Sequence, residues 1–357
     1  MKVCVLEANN KIVVKNIPTK EPLANEAIVQ IVSCGICGSD IPRYFSKGAH
    51  FYPLVLGHEF YGIVKKIGSQ VKDLKPGDNV VGIPLVPCFE CDDCKNGNYS
   101  LCKNYKFIGS SVNGAYCEEL TINSKNLFKI EEEIAGPYCA MFEPSSIGLH
   151  AIKMFDGYKG KNVAVVGGGT IGIMVADWAR IYGAKNVVVF EQNLKNINTY
   201  KTLGINNLVV SDDEGLNKAI KEYTNSKGFD LVFDAAGVNY TIVYSLKLAK
   251  NKAKVCFVGT PTKPLSFAVK EWEIINRKEL TITGSWMSYS NPFPGSEWFE
   301  TKEALLKKEL VFRKEHFAGF FSIDDIEKAF DFIKNGKNGN SGRVCLITYF
   351  GINRFNL

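Results

Sequence analysis

Four cysteines stand close together in the segment CFECDDCKNGNYSLC, at positions Cys88, Cys91, Cys94 and Cys102. This spacing allows four thiolates to surround one zinc ion, which leaves no coordination position open for chemistry. An iron–sulfur run of this kind ends with its fourth cysteine three residues after the third, followed by proline. Here Cys102 comes eight residues after Cys94, and Lys103 follows it. The spacing therefore predicts a structural zinc that braces a loop.

Composition argues against two other uses of these cysteines. The chain has 357 residues, a formal net charge of +6 and 11 cysteines, an odd number. It begins with an alternating strand pattern rather than a signal peptide, and no apolar run approaches the ~18 residues of a membrane helix. We therefore expect a cytoplasmic protein that does not bind a membrane, with reduced thiols rather than a disulfide framework. Glu90, Asp92 and Asp93 lie beside the cysteines, so a zinc finger that binds nucleic acid is not expected either.

A second set of metal-binding side chains is spread over three segments. Cys37 lies in SCGICGSD, His58 and Glu59 lie in LGHEF, and Glu143 lies in MFEPSSIGLH. Catalytic zinc keeps three protein ligands and an open position for water or substrate, and a mixed Cys, His and Glu set suits it. Each residue alone is uninformative. The chain has 4 histidines, so spacing alone does not select His58.

A glycine-rich segment, VAVVGGGTIG, follows a predicted strand and opens a predicted helix. Its three glycines form G-x-G-x-x-G: Gly167, Gly169 and Gly172. They allow a tight turn and the close approach of a pyrophosphate to the helix N-terminus. Glu191 closes the next strand, where its carboxylate can bind both ribose hydroxyls and would repel a 2′-phosphate, so NAD is favoured over NADP. Two nearby residues weaken this preference, Lys195 and Asn196.

The elements that must position these residues fall into two predicted domains. Residues 1–150 contain short β-rich runs separated by Gly, Pro and Asp turns. Residues 151–289 alternate apolar strands with amphipathic helices, which is typical of a doubly wound parallel sheet. Six strands are predicted there: NVAVVGGG, NVVVFE, NLVV, FDLVFDAAG, KVCFVGT and LTITGSW. Residues 290–357 hold two helical stretches and a last strand, and are expected to complete the first domain.

One longer pattern connects these features. GHEFYGIVKKIGSQVKDLKPGDNV contains GHE-x2-G-x5-G-x2-V followed by PGD-x-V. Together with CGICGSD, the four-cysteine segment and the glycine-rich turn, it resembles the zinc-dependent medium-chain dehydrogenase/reductase superfamily over most of the chain. The resemblance implies an α/β and β fold, with a GroES-like catalytic domain, a Rossmann NAD-binding domain and two zinc ions per chain. FEP at Glu143 implies the polyol dehydrogenase branch, because relatives whose zinc has two cysteines and a histidine carry a cysteine there.

The resemblance also assigns roles in a reversible oxidation of a secondary alcohol, in which hydride passes to the nicotinamide. Cys37, His58 and Glu143 would hold the catalytic zinc, and Glu59 would be a fourth ligand or a carboxylate beside the metal. Ser39 is expected to pass the alcohol proton outward. Many relatives carry a histidine where this chain has Pro42, so the outer proton path must differ. His50 is a candidate replacement, and a solvated loop histidine is the alternative.

The expected substrate is a polyol or a polyol phosphate. Segments 37–60, 87–110 and 277–298 are similar to relatives that oxidise galactitol 1-phosphate to tagatose 6-phosphate. Sorbitol, arabinitol or another polyol is the alternative, followed by a zinc-free quinone-reductase-like or non-catalytic relative. A phosphate needs a cation, for which Arg43, Lys47 and His50 lie between two zinc ligands. The expected substrate-binding residues are Arg43, His50, Glu143 and Tyr289.

Cofactor contacts and assembly complete the expectations. The predicted NAD-binding residues are Gly167, Gly169, Thr170, Ile171, Gly172, Glu191, Ala236, Gly237, Val258, Gly259, Ser285 and Trp286. Trp286 is expected to lie in the core rather than at the chemistry. The family resemblance implies a homodimer, or a homotetramer, in which edge strands near KVCFVGT and LTITGSW join two nucleotide domains.

Overall fold

The computed structural model describes residues 1–195, 197–336, 342–348, 351 and 355. Asn196 and the Lys-, Asn- and Gly-rich stretch 337–341 lie outside the described residues. The chain forms two compact units. The first contains Met1–Glu143 and the described residues of Tyr289–Asn338 and Arg343–Leu357, and the second contains Pro144–Ser288. The sequence placed these boundaries at 150/151 and 289/290; the first division instead falls inside a helix that begins at Phe142.

The strands and helices are numbered here in chain order. The strands are β1 (Lys2–Ala8), β2 (Lys11–Asn16), β3 (Glu26–Ile36), β4 (Glu59–Ile67), β5 (Asn79–Gly82), β6 (Leu85–Val86), β7 (Lys106–Phe107), β8 (Glu119–Asn123), β9 (Leu127–Ile130), β10 (Asn162–Val166), β11 (Asn186–Glu191), β12 (Leu208–Val210), β13 (Phe229–Asp234), β14 (Ala249–Phe257), β15 (Thr281–Gly284), β16 (Phe317–Ser322) and β17 (Arg343–Ile347). The helices are α1 (Asp40–Phe45), α2 (Asp92–Lys95), α3 (Phe142–Lys153), α4 (Thr170–Ile181), α5 (Ile197–Thr202), α6 (Asp213–Thr224), α7 (Asn239–Leu248), α8 (Val269–Arg277), α9 (Ser296–Leu306) and α10 (Ile326–Lys334).

The first unit is organised around β3, whose sequence EAIVQIVSCGI is buried along almost its whole length. Such a β-branched, apolar run suits the centre of a sheet. In the described residues the sheet order is β16-β17-β3-β4-β5-β9, and β8 also pairs with β3. The strand β17 returns from the end of the chain to pair antiparallel with β3, with Leu346 opposite Cys34. Residues after 289 are therefore part of this unit.

The second unit contains a parallel sheet of the order β12-β11-β10-β13-β14-β15, traced over the described residues. The six predicted strands are all present, and the fold class is confirmed. The helix α8 was missed by the sequence analysis, which ran directly from one strand to the next. The edge-strand prediction needs a correction, because KVCFVGT lies in β14, which pairs with both β13 and β15. Within the described part of the chain, only β15 presents an open edge on that side.

No helix in the described ranges is long and apolar enough to cross a membrane.

Candidate active site

Three of the predicted metal ligands lie together in the first unit. Donor atoms of Cys37, His58 and Glu59 all lie within 4.8 Å of one another. The sheet register explains their meeting, because Gly35 of β3 pairs antiparallel with Glu59 at the start of β4. The residues just after β3 then face the residues just before β4. Two segments that are separate in sequence therefore contribute one cluster.

Gly35 leaves space for a carboxylate at this crossing. A Cβ atom on Gly35 would lie 2.4 Å from Oε2 of Glu59 and 3.2 Å from Cγ of Arg343. Any larger residue would displace the carboxylate from the strand. The backbone of β3 thus provides the space in which Glu59 lies.

Glu59 forms a buried ion pair with Arg343, the first residue of β17. Their side chains are 1% and 9% exposed, and Oε2 of Glu59 lies 2.7 Å from Nε of Arg343. Both atoms nevertheless lack a hydrogen-bond partner in the described residues, so the N–H does not point at the oxygen and the contact is electrostatic. Burial raises the pKa of Glu59 to about 8, and the attraction of Arg343 opposes only part of that rise.

His58 is held next to a second buried carboxylate, Asp40. Oδ2 of Asp40 accepts hydrogen bonds from the N–H of Cys37 (3.1 Å) and the hydroxyl of Tyr116 (2.9 Å). Its Oδ1 lies 4.0 Å from Nδ1 of His58, which is beyond hydrogen-bond distance. A carboxylate behind a histidine ligand fixes the ring orientation. The sequence analysis missed Asp40, although its position three residues after Cys37 was a usable signal.

Glu143 lies close to this cluster but outside its tightest part. It is the second residue of α3 and is 7% exposed. Burial and the charge of Glu59 raise the pKa of Glu143 to about 7, whereas His58 and Arg343 lower it. Two carboxylates in one low-dielectric site repel each other when both are ionised. The group that lies within 4.8 Å contains Glu59 in its place.

The donors fit a zinc ion. A thiol, an imidazole and carboxylates are the ligand types of catalytic zinc. Nδ1 of His58 and Oε2 of Glu59 are buried without a hydrogen-bond partner in the described residues. Buried polar atoms are costly unless a partner or a cation compensates them. These residues therefore match the requirements of a metal site.

The four cysteines of the other segment also converge. Their sulfurs lie within 4.8 Å of one another, with Sγ of Cys88 3.4 Å from Sγ of Cys102. Backbone N–H groups point at the cluster, as at Cys91, whose N–H donates to Sγ of Cys88 over 3.4 Å. Backbone hydrogen bonds lower the pKa of Cys91 to about 6, whereas burial raises that of Cys94 to about 12. Donors arranged around four sulfurs suit a tetrahedral thiolate site.

The residues predicted to transfer the proton or to bind the phosphate lie in different surroundings. Ser39 is exposed at the start of α1, and its hydroxyl does not cap that helix. Arg43 is brought beside it, with Nη1 donating to the Ser39 carbonyl (2.7 Å) and Nη2 to the Ser110 hydroxyl (2.9 Å). Lys47 and His50 lie exposed on the following loop. Of the three predicted cations, only Arg43 is anchored near a candidate ligand, because it binds the carbonyl of Ser39, two residues after Cys37.

The glycine-rich turn has the geometry that a dinucleotide requires. Gly167 has a φ of +100°, and a Cβ on Gly172 would lie 1.8 Å from the carbonyl oxygen of Gly167. Both positions therefore demand glycine. Oε2 of Glu191 accepts a hydrogen bond of 2.8 Å from the N–H of Gly168. The structure places the predicted ribose-binding acid at the turn, at the end of β11.

A second turn lies at the ends of β13 and β14, where Ala236, Gly237, Val258 and Gly259 were predicted to bind the cofactor. A Cβ on Gly237 would lie 2.6 Å from the backbone of Gly259. Buried Asp234 organises this contact by accepting hydrogen bonds from the N–H groups of Ala236 (3.2 Å) and Gly237 (3.3 Å). The sequence analysis missed Asp234, although it ends a predicted strand. Ligands of such sheets bind outside the carboxyl ends of the strands.

The remaining predicted residues have mixed outcomes. Thr170 and Ile171 begin α4, directly after the glycine turn. Ser285 is buried after β15, but Trp286 is 50% exposed, so the expectation that it lies in the core is wrong. Short β15 is an edge strand over the described residues, and Trp286 is the exposed residue among the buried Ser285, Ser288 and Tyr289 that follow it. Tyr289, predicted to contact substrate, is 1% exposed and lies with its hydroxyl 3.5 Å from Oε1 of Glu143.

Known proteins share this arrangement. Residues 23–132 match the alcohol dehydrogenase GroES-like domain, and residues 170–307 match the zinc-binding dehydrogenase family. Galactitol 1-phosphate 5-dehydrogenase of Escherichia coli K12 is 36% identical over 323 residues, which cover 90% of this chain and 92% of the relative. The chain belongs to the zinc-dependent medium-chain dehydrogenase/reductase superfamily. A crystal structure of galactitol-1-phosphate dehydrogenase from Escherichia coli superposes on 97% of this dehydrogenase and 100% of that chain, with a TM-score of 0.89 and 34% identity.

Two further relatives have names that give a different substrate or a different cofactor. L-threonine 3-dehydrogenase of Escherichia coli K12 is 32% identical to this dehydrogenase and covers 94% of it and 96% of the relative. A zinc-binding dehydrogenase from Sinorhizobium meliloti, solved with NADP, is 28% identical with a TM-score of 0.85, and covers 97% of this chain and 98% of that one. This dehydrogenase is therefore an oxidoreductase of the polyol dehydrogenase type, for which zinc and NAD or NADP are the expected cofactors.

Proposed function

We propose that this dehydrogenase oxidises galactitol 1-phosphate to tagatose 6-phosphate, reversibly and with NAD. The proposal rests on Arg43, a guanidinium anchored beside the buried cluster of Cys37, His58 and Glu59. Two of its five N–H donors are used in the hydrogen bonds to Ser39 and Ser110, so donors remain for a phosphate. The relative that is 36% identical has a name that specifies the same phosphorylated polyol.

Cys37, His58 and Glu143 would hold the catalytic zinc, with Glu59 within reach of the same position. Zinc in such a site acts as a Lewis acid that makes an alcohol hydroxyl easier to deprotonate. Asp40, whose Oδ1 lies 4.0 Å from Nδ1 of His58, would orient the ring when a metal is bound. Arg343 attracts Glu59 toward β17, and so competes with the metal for that carboxylate.

Ser39 would take the proton from the alcohol and pass it outward. Its hydroxyl is exposed and is not used in capping α1. Because Pro42 offers no proton-carrying group, the next carrier must be water or a side chain of the exposed loop that contains His50. A hydroxyl in contact with solvent is sufficient for this role.

NAD is proposed over NADP because Glu191 stands where the ribose would lie. Its carboxylate is fixed by the N–H groups of Gly168 and Gln192, both at 2.8 Å. A fixed negative charge disfavours a 2′-phosphate. Bound NAD would accept the hydride from the carbinol carbon.

The four-cysteine segment would hold a second, structural zinc. An assembly of two chains through the open edge of β15 is also proposed. Thr281 and the apolar Ile282 are exposed on that strand, Ile282 at 38%. Pairing of two such strands would cover them and satisfy their backbone groups.

The substrate proposal is tested by NAD reduction, followed at about 340 nm, with a panel of alcohols. The panel comprises galactitol 1-phosphate, galactitol, sorbitol, arabinitol and L-threonine. We expect galactitol 1-phosphate to have the highest kcat/KM, and Arg43→Met to raise its KM about 10-fold or more without a similar effect on galactitol. Lys47→Met, which removes an exposed cation of the same loop, is the matched control. Equal kcat/KM for phosphorylated and free galactitol would contradict the phosphate proposal, and no turnover of any alcohol by the zinc-loaded protein would contradict the whole function.

A further inference from the structure

The four-cysteine segment packs closely against residues 289–293. The ring of Phe293 contacts Phe89 and Tyr99, with centroids 5.7 and 5.6 Å apart. A Cβ on Gly97 would lie 2.7 Å from Cβ of Asn291, so the two backbones approach as closely as a glycine permits. The segment is thus fixed to one specific stretch of the first unit.

Ser100 makes the strongest polar connection in this contact. It lies two residues before the candidate ligand Cys102 and is buried. The backbone N–H and the hydroxyl of Ser100 both donate to the carbonyl of Tyr289 at 3.1 Å. The hydroxyl also accepts a hydrogen bond of 2.9 Å from the N–H of Tyr289. Both backbone groups of Tyr289 are therefore held by a single residue of the four-cysteine segment.

The side chain of Tyr289 faces the candidate catalytic site. It is 1% exposed, and its hydroxyl lies 3.5 Å from Oε1 of Glu143. This distance is long for an O–H···O hydrogen bond, but both groups are buried, and a Glu143 carboxylate that is deprotonated to bind a metal would attract the hydroxyl proton. The ring of Tyr289 is also fixed against Trp298, with centroids 6.0 Å apart. The hydroxyl has little freedom to leave Glu143.

We infer that the four-cysteine segment positions Glu143 through Ser100 and Tyr289, so that metal bound by the four cysteines influences metal geometry at the catalytic site. The inference rests on the proposed function in one respect, which is the role of Glu143 as a zinc ligand. Tyr289 acts here as a positioning residue and not as a substrate contact. Partners of metal-bound side chains typically change metal affinity by 10- to 100-fold when they are removed.

The test uses the complete protein with zinc at the four cysteines and cobalt(II) in place of zinc at the catalytic site. Cobalt absorbs visible light according to its ligand geometry, and competition with a chelator gives its Kd. Tyr289→Phe and Ser100→Ala should both change the cobalt spectrum and raise the Kd, by about 10-fold for Tyr289→Phe. Tyr99→Phe is the matched control, because it removes a hydroxyl of the same contact that lies 3.4 Å from Asn291 and not beside Glu143. It should leave spectrum and Kd unchanged.

A Cys91→Ser variant, which removes one of the four thiolates and so weakens zinc binding at that segment without touching Cys37, supplies the second measurement. This substitution should alter the cobalt spectrum of the original protein and have a much smaller effect in Tyr289→Phe, where the connection is already broken. An unchanged cobalt spectrum and Kd in Tyr289→Phe and Ser100→Ala would overturn the inference, as would equal responses to Cys91→Ser in both proteins. Should one variant fail to fold, the other still decides. The measurement contains no alcohol or NAD, so the inference can be confirmed even if the protein oxidises no polyol. Failure of cobalt to bind at all would overturn the proposed metal site as well as the inference.

Discussion

Replacing Glu59 with glutamine should stabilise the metal-free protein at about pH 8.5 and have little effect at about pH 5. Burial raises the pKa of Glu59 from 4.5 to about 8, despite the opposing attraction of Arg343. Below about pH 4.5 this carboxyl is protonated in both folded and unfolded chains. Between 4.5 and 8 it ionises only in the unfolded chain, which then binds fewer protons, so the free energy of unfolding falls as pH rises. Above about pH 8 the loss is complete.

The size of the effect follows from the two pKa values. Each pKa unit corresponds to about 1.4 kcal/mol, so a rise from 4.5 to about 8 costs the folded protein up to about 5 kcal/mol at high pH. At about pH 5 the same relation leaves less than about 1 kcal/mol. Glutamine is neutral at every pH and resembles the protonated acid. The Glu59→Gln variant should therefore be more stable than the original protein by up to about 5 kcal/mol at high pH.

Urea unfolding of metal-depleted protein, followed by circular dichroism at several pH values, measures this difference. Glu222→Gln, on the exposed surface of α6, is the matched control and should follow the original protein. The opposite view is that the ion pair with Arg343 dominates and keeps Glu59 ionised throughout. Removing one partner of such a buried pair costs about 3–5 kcal/mol. A Glu59→Gln variant less stable than the original at every pH would therefore refute the reasoning.

Three further outcomes are expected. Gly172→Ala should lower stability by about 1–3 kcal/mol and weaken NADH binding, measured by fluorescence titration, because the new Cβ would lie 1.8 Å from the carbonyl oxygen of Gly167. Gly169→Ala, with no atom within 4 Å of its Cβ, should keep the stability, and equal Tm losses would disprove the steric argument. Glu191→Ser should reduce the preference for NAD over NADP, expressed as the ratio of kcat/KM values, by about 10-fold or more, and an unchanged ratio would show that Glu191 does not select the cofactor. Asp40→Asn should weaken zinc binding at the catalytic site by about 10- to 100-fold in chelator competition while the zinc of the four cysteines is retained; loss of both together would indicate unfolding instead.

Features encoded by neighbouring residues could be predicted from the sequence. The strands of the second unit are apolar runs bounded by turns, and the glycine turn needs residues without a Cβ at fixed offsets, so both are visible in a short window. The convergence of the four cysteines was equally local, since all four lie within residues 88–102. The helix α8 was missed although Val269, Trp272 and Ile275 recur at helical spacing, which was a usable signal.

Features that depend on distant pairing could not be predicted from these patterns. Arg343 reaches Glu59 only because β17 pairs with β3, and β3 in turn pairs with β4. Nothing in the residues around Arg343 indicates a partner in another segment almost three hundred positions earlier. The burial of Tyr289 against Glu143 could not be predicted for the same reason, because the two residues are 146 positions apart in the chain.

The buried carboxyls of the site affect both the stability of the metal-free protein and its capacity to bind a metal. Glu59 and Glu143 have raised pKa values of about 8 and about 7, because burial outweighs the nearby positive charges. Zinc binds only the deprotonated carboxylate. The approach of a zinc ion would lower the raised pKa of each carboxyl and allow it to lose its proton. Arg343 supplies part of the positive charge, but its N–H does not point at the carboxylate. The same burial that destabilises the metal-free protein would therefore make charge compensation by a bound zinc favourable.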